Sequence, residues 1–231
     1  MQIIPVLDIK GGVVVRGMMG DRANYRPIET PLAASSEPVA VAEGLMALHE
    51  FPAIYIADLD GIEAGRPNEV VLDALTARFP NTDFWLDAGL RSKGEAEAMA
   101  ARRGIVPVVG SESVESVEVV RHLAGRIAYV LSLDFRGDAL LGPPELIEAP
   151  EIWPDRVIVM TLQKVGSGQG PDLARLCAIR QVAGERHVYA AGGVRHGGDL
   201  EILAGEGIAG ALIATALHDG RIGPEEIVRL S

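Results

Sequence analysis

Segments of this chain return at half-length, so whatever it folds into must have two like halves. Pro5-Val6-Leu7-Asp8-Ile9-Lys10-Gly11 reappears as Leu131-Ser132-Leu133-Asp134-Phe135-Arg136-Gly137, an offset of 126 residues that gives Asp8 and Asp134 one structural address. Trp85-Leu86-Asp87-Ala88-Gly89-Leu90-Arg91 reappears as Tyr189-Ala190-Ala191-Gly192-Gly193-Val194-Arg195, and Val109-Gly110-Ser111 as Ile213-Ala214-Thr215, both at an offset of 104. The two offsets differ by 22 residues, a surplus that falls mostly in the loop after the first of these segments.

Short apolar runs ending in small or acidic residues read as strands at 2–8, 53–58, 84–88, 105–109, 127–134, 157–161, 187–191 and 211–214. Helical patterns separate them, at 37–50 behind a Ser36 cap, 68–79, 95–103, 115–123, 172–183, 198–204 and 224–230. Residues 144–148 form the weakest helix, hemmed in by Pro143, Pro144, Pro150 and Pro154. Alternating strands and helices with matched halves point to an α/β protein, a (β/α)8 TIM barrel with a two-fold half-barrel repeat. Its 231 residues make a single domain, 1–231, with half-barrels at about 1–118 and 119–231. A content of 48% hydrophobic residues with only 4% aromatic ones suits strands buried on both faces.

Composition narrows the partners. A net charge of −11 opposes nucleic acid and acidic membrane surfaces, so an anionic ligand needs a local pocket of positive potential. Cys177 is the only cysteine and cannot form an intrachain disulfide, which favours a reducing compartment. No signal peptide opens the chain and no apolar run reaches the roughly 18 residues of a membrane span, so the expected location is cytoplasmic. Five scattered histidines make no metal-ligand cluster, and no Gly-x-Gly-x-x-Gly follows the opening strand, so neither a metal nor another cofactor is expected.

In such a barrel the chemistry sits at the carboxyl ends of the strands. Asp8 and Asp134 end the first and fifth, on opposite sides of the mouth, an arrangement suited to one general base and one general acid. One strand-end aspartate serves as a helix cap about as often as it serves catalysis; the symmetric pair favours catalysis. Thr161, ending the sixth strand, is a candidate to orient a sugar. Gly89, Gly110 and Ser111 in one half, with Gly192, Gly193, Ala214 and Thr215 in the other, could present N–H groups and a hydroxyl to phosphate. Two such places imply a ligand with a phosphate at each end. Arg91 and Arg195 could add charge, Asp58 of Asp58-Leu59-Asp60-Gly61 could orient a hydroxyl or organise its turn, and Gly166 belongs to a glycine-rich cover after Thr161. The long loop 11–31, with Arg16, Met18, Met19, Asp21, Arg22, Tyr25 and Arg26, reads as a lid. Trp85 is expected between sheet and helices, and Trp153 over the site. His218 reads as a helix-end residue whose cationic form meets the helix dipole.

Along nearly its whole length the chain resembles the half-barrel repeat proteins of histidine biosynthesis, the HisA/HisF family. These are the phosphoribosylformimino-aminoimidazole-carboxamide ribotide isomerase and the cyclase subunit of imidazole glycerol phosphate synthase. Residues 5–17 are similar to the first segment of both, Ala57-Asp58-Leu59-Asp60-Gly61 looks like the isomerase, and Gly192-Gly193-Val194 and Gly220-Arg221 match the closing segment of either. The resemblance implies Asp8 as general base, Asp134 as the second acid, and an Amadori-type aldose–ketose isomerisation of a phosphoribosylamine. After the sixth strand, where the isomerase carries an acidic Asp-Gly element, this chain reads Thr161-Leu162-Gln163-Lys164-Val165-Gly166-Ser167. That departure is similar to a divergent group of methanogens and methylotrophs linked to methanopterin-dependent one-carbon metabolism. Two other outcomes remain open on the sequence: a non-catalytic phosphometabolite-binding protein, and a barrel that docks a partner subunit as the cyclase does, for which no feature here speaks.

Overall fold

The computed structural model describes residues 1–230. Its eight parallel strands are β1 (Gln2–Lys10), β2 (Ala53–Asp58), β3 (Asp83–Asp87), β4 (Ile105–Gly110), β5 (Val130–Arg136), β6 (Arg156–Thr161), β7 (His187–Ala191) and β8 (Gly210–Ile213). They pair in chain order, and β8 returns to β1 with Gln2 beside Gly210 and Pro5 beside Ile213. The sheet therefore closes into a (β/α)8 barrel.

Around it run α1 (Pro38–Leu48), α2 (Leu59–Ala64), α3 (Glu69–Arg78), α4 (Lys93–Ala100), α5 (Val117–Leu123), α6 (Glu145–Glu148), α7 (Leu173–Val182), α8 (Gly197–Gly205), α9 (Thr215–His218) and α10 (Pro224–Leu230). The helix starts follow local chemistry. Pro38 occupies the first helical position of α1, so Glu37 rather than the expected Ser36 is the cap, accepting from the N–H groups of Val39 and Ala40. Ser92 and Glu95 form a reciprocal capping box on α4. Between α5 and α7 the prolines leave only the four-residue α6 and a 3-10 turn, Pro150–Ile152, as the composition suggested.

The halves also share a rim feature. After β1 the chain turns at Gly11-Gly12, both left-handed, and Val13–Val15 pairs back on it; after β5 it turns at Gly137 and Ala139–Leu140 does the same.

Two apolar layers fill the fold. Alternate strand residues such as Leu7, Ile9, Ile54, Leu86, Val109 and Val159 face the helices, while Ile4, Tyr55, Trp85, Val108, Val130, Ile158 and Leu212 fill the barrel interior. Trp85 lies inside the barrel, not between sheet and helices as expected, because it shares the inward face with Asp87 two residues on. It meets Tyr189, its counterpart in the repeat, edge-on at 5.0 Å between ring centroids. Trp153 does not cover the mouth either. It is buried in the outer layer, its indole N–H donating to the carbonyl of Leu146 at 2.6 Å.

Candidate active site

Strand alternation decides which strand-end residues look into the barrel. Asp8 follows Ile4 and Val6 on the inward face of β1, Asp87 follows Trp85 on β3, and Asp134 follows Val130 and Ser132 on β5. All three carboxylates line one cavity of about 210 Å³ at the carboxyl ends of the strands.

Asp87 and Asp134 are buried and Asp8 is half-buried, and desolvation raises the pKa of each. Asp134 reaches about 7, the neighbouring Asp87 adding to the rise and the Ser132 hydroxyl opposing it. Ser132 Oγ donates to Asp134 Oδ1 at 2.7 Å, while Ser111 Oγ and the Glu112 N–H each donate to Oδ2 at 3.2 Å. Asp8 rises to about 6, held back by the charge of Arg22 and the N–H of Gly17. Asp87 also rises to about 6; the Gly89 N–H holds it back, and Tyr55 donates to it at 3.3 Å. At neutral pH the site thus holds ionised carboxylates beside one, Asp134, poised to be half protonated.

The loop 11–31 closes one side of the mouth: Gly17, Gly20, Arg22 and Tyr25 line the cavity. Arg22 forms an ion pair with Glu112 across 90 residues of sequence. Opposite, the segment after β6 contributes Leu162, Val165, Gly166, Ser167 and Gly168. The two covers touch, for the Met19 N–H donates to the Val165 carbonyl at 2.8 Å and a side chain on Gly166 would stand 2.7 Å from the Gly17 carbonyl. Farther along, Arg16 pairs with Asp219 at 3.1 Å, and His218 meets the Thr30 hydroxyl at 3.2 Å. His218 sits at a helix end as expected but carries no charge there, because burial, with Arg16 nearby, lowers its pKa to about 4.

Of the other residues singled out from the sequence, Gly166, Gly192, Gly193, Ala214 and Thr215 come together on the lining, with Arg221 beside them. Gly193 is left-handed, at φ 91, and a side chain there would stand 2.2 Å from the Gly170 carbonyl, so only glycine lets these two loops meet.

Thr161, Asp58, Gly89, Gly110, Ser111, Arg91 and Arg16 stand outside the cavity lining. Thr161 is buried on the face opposite Met160, which takes the inward position on β6. Asp58 is likewise one residue out of phase with Ala57; it caps α2 through the Gly61 N–H at 3.1 Å and binds Asn68 N at 2.6 Å, so its acids organise the turn. The Ser111 hydroxyl is wholly engaged with Asp134, whose N–H donates to it at 2.8 Å. Gly89 packs against Ile62. Arg91 is exposed, and its N–H donates to Glu95; Arg195 repeats that bond to Asp199 and adds an ion pair at 2.7 Å. Asp87, Glu112 and Tyr55 were not singled out from the sequence, although the alternation that places Asp8 and Asp134 inward also places Asp87.

Among the described residues no group of three or more His, Cys, Asp or Glu side chains is placed to hold a metal ion, and no helix is long and apolar enough to cross a membrane.

Relatives match the chain along nearly its whole length. Residues 2–223 match the family model described as histidine biosynthesis protein. The chain is 30% identical over 232 residues to an uncharacterised protein of Methanocaldococcus jannaschii, covering 99% of this chain and 98% of that one. It is 30% identical over 236 residues to a protein of Herpetosiphon aurantiacus named 1-(5-phosphoribosyl)-5-((5-phosphoribosylamino)methylideneamino) imidazole-4-carboxamide isomerase, covering 96% and 95%. An isomerase of the same name from Rubrobacter xylanophilus is 28% identical over 245 residues, covering 98% and 95%.

Proposed function

The chain belongs to the histidine biosynthesis protein family, and on that premise we propose that it is a HisA-like isomerase acting on a phosphorylated ribosylamine. The observation that carries this reading is the placement of Asp8 and Asp134 on opposite strands of one cavity, in environments that hold their pKa values near 6 and 7. Asp134, protonated, gives its proton to the ring oxygen of the aminoaldose as the nitrogen lone pair opens the ring to a protonated imine. Asp8, ionised, takes the proton from carbon two, and the electron pair of that C–H bond passes into the carbon one–carbon two bond as the imine becomes an enamine. The enol then ketonises: carbon one takes the proton from Asp8, the hydroxyl of carbon two returns a proton to Asp134, and the aminoketose forms with both carboxyl groups restored. No oxidant or metal is needed, because the two carbons exchange oxidation level. Glycines of the loops after β6 and β7, with Thr215 and Arg221, hold the phosphate. Tyr55 and the Asp87 carboxylate face the sugar.

The acid that the isomerase carries after its sixth strand is absent from this chain, and Asp134 supplies that proton instead. The test is incubation in deuterium oxide with N-substituted 5-phosphoribosylamines, the formimino ribotide of the histidine pathway among them, followed by proton NMR. Ketose formation with deuterium appearing at the exchanging carbon, lost in Asp8→Asn and Asp134→Asn proteins that remain folded, is the expected result. No exchange with any of these compounds would sink the proposal.

A further inference from the structure

The two halves of the barrel present different charges at matching places. From this we infer that the site accepts a ligand with a single phosphate, seated on the β7–β8 side, whose far end is non-anionic and donates hydrogen bonds to Asp87 and Glu112. The inference rests on the reading above that the ligand is a phosphate ester, and it narrows which esters qualify.

At the 104-residue offset, Asp87 corresponds to Ala191 and Glu112 to Ala216. The half that can cradle a phosphate has alanine at both places, and the other half has a carboxylate at both, each lining the cavity. The hydroxyls diverge in the same sense. Thr215 is half-buried on the cavity lining, whereas Ser111 is fully buried and spends its hydroxyl on Asp134. Beneath Ser111 the chain has closed in, since a side chain on Gly142 would stand 1.8 Å from the Ser111 carbonyl. A second phosphate at that end would meet the Asp87 and Glu112 carboxylates, with Arg22 already paired to Glu112 and no free hydroxyl to receive it.

The cations are disposed to match. Arg22 is committed to Glu112, and Arg221 lies on the β8 side, sharing Asp219 at 3.2 Å.

Calorimetric titration of the whole protein with D-ribose 5-phosphate and with D-ribulose 1,5-bisphosphate tests this without any turnover. The monophosphate is expected to bind at least about tenfold more tightly. The double variant Asp87→Ala with Glu112→Ala, which gives the first half the alanines of the second, is expected to shift that ratio at least about tenfold toward the bisphosphate. Asp87→Asn with Glu112→Gln serves the same purpose with the side-chain shapes kept. Equal or tighter binding of the bisphosphate by the unaltered protein, or an unchanged ratio in a folded double variant, would overturn the inference. Failure of both ligands to bind would overturn it together with the phosphate reading. Absence of isomerase exchange with the binding ratio intact would remove the proposed chemistry and leave this inference standing.

Discussion

Asp87 and Asp134 face one another across a residue with no side chain: a methyl group on Gly110 would stand 3.3 Å from Asp134 Oδ2 and 3.5 Å from Asp87 Oδ2. Gly110 is not left-handed, so room rather than backbone freedom accounts for glycine there. Gly110→Ala is expected to crowd the pair and strip it further of water, destabilising the fold by about 1–3 kcal/mol. It should also raise the pKa of Asp134. Thermal melting and the pH profile of turnover read both effects; an unchanged profile would show that the carboxylates do not feel this gap.

Turnover should be bell-shaped in pH and narrow. Asp8 must be ionised and Asp134 protonated, so the limbs fall near 6 and 7. Arg22 holds the Asp8 pKa down. Arg22→Met is therefore expected to move the low-pH limb of kcat/KM upward, toward the other limb, and to lower the maximum. A low-pH limb that stays in place would mean that Asp8 is not the base.

Stability should respond to pH against the usual direction for carboxylates. The folded pKa of Asp134 lies above its ordinary value of 3.8, at about 7, so the native state holds the proton more tightly than the unfolded chain. Its contribution is fully present below about pH 4 and is lost as pH rises through about 7. At about pH 8 an ionised Asp134 costs up to about 4 kcal/mol, which Asp134→Asn removes. Melting temperatures of the two proteins are expected to diverge in favour of the variant between about pH 5 and pH 8. Parallel curves would refute the shift.

The contact between Trp85 and Tyr189 closes the centre of the barrel. Trp85→Ala should destabilise by about 3–5 kcal/mol through the cavity it leaves. Chemical denaturation measures this, with a shift under about 1 kcal/mol showing that the interior collapses to fill the space.

The barrel itself was legible because a repeat constrains topology: two like halves of strand and helix must close on each other. Asp8 and Asp134 were legible for the same reason, and strand parity keeps both inward. Parity also explains the misplacements. Thr161 and Asp58 end their strands like the catalytic candidates, but Met160 and Ala57 hold the inward positions, turning their neighbours away. Parity applied to Trp85 would have found both its place and that of Asp87. The first-half glycines were harder to read. A motif such as Gly110-Ser111 looks the same whether its hydroxyl meets a ligand or an aspartate from the next strand, and only the tertiary bond to Asp134 distinguishes them. The pairing of Arg22 with Glu112, distant in sequence, left no local signal.

The ties from the loop after β1 to the far end of the chain, Arg16 to Asp219 and Thr30 to His218, span 203 and 188 residues. Such long-range contacts form late, since the intervening chain must be in place first. During synthesis the first strand emerges with Asp8 already upon it, and the cover that shapes its surroundings finds its anchors in succession: Glu112, then Val165, and last His218 and Asp219. A product cut short before His218 would keep the carboxylates and lose the last two anchors of their enclosure.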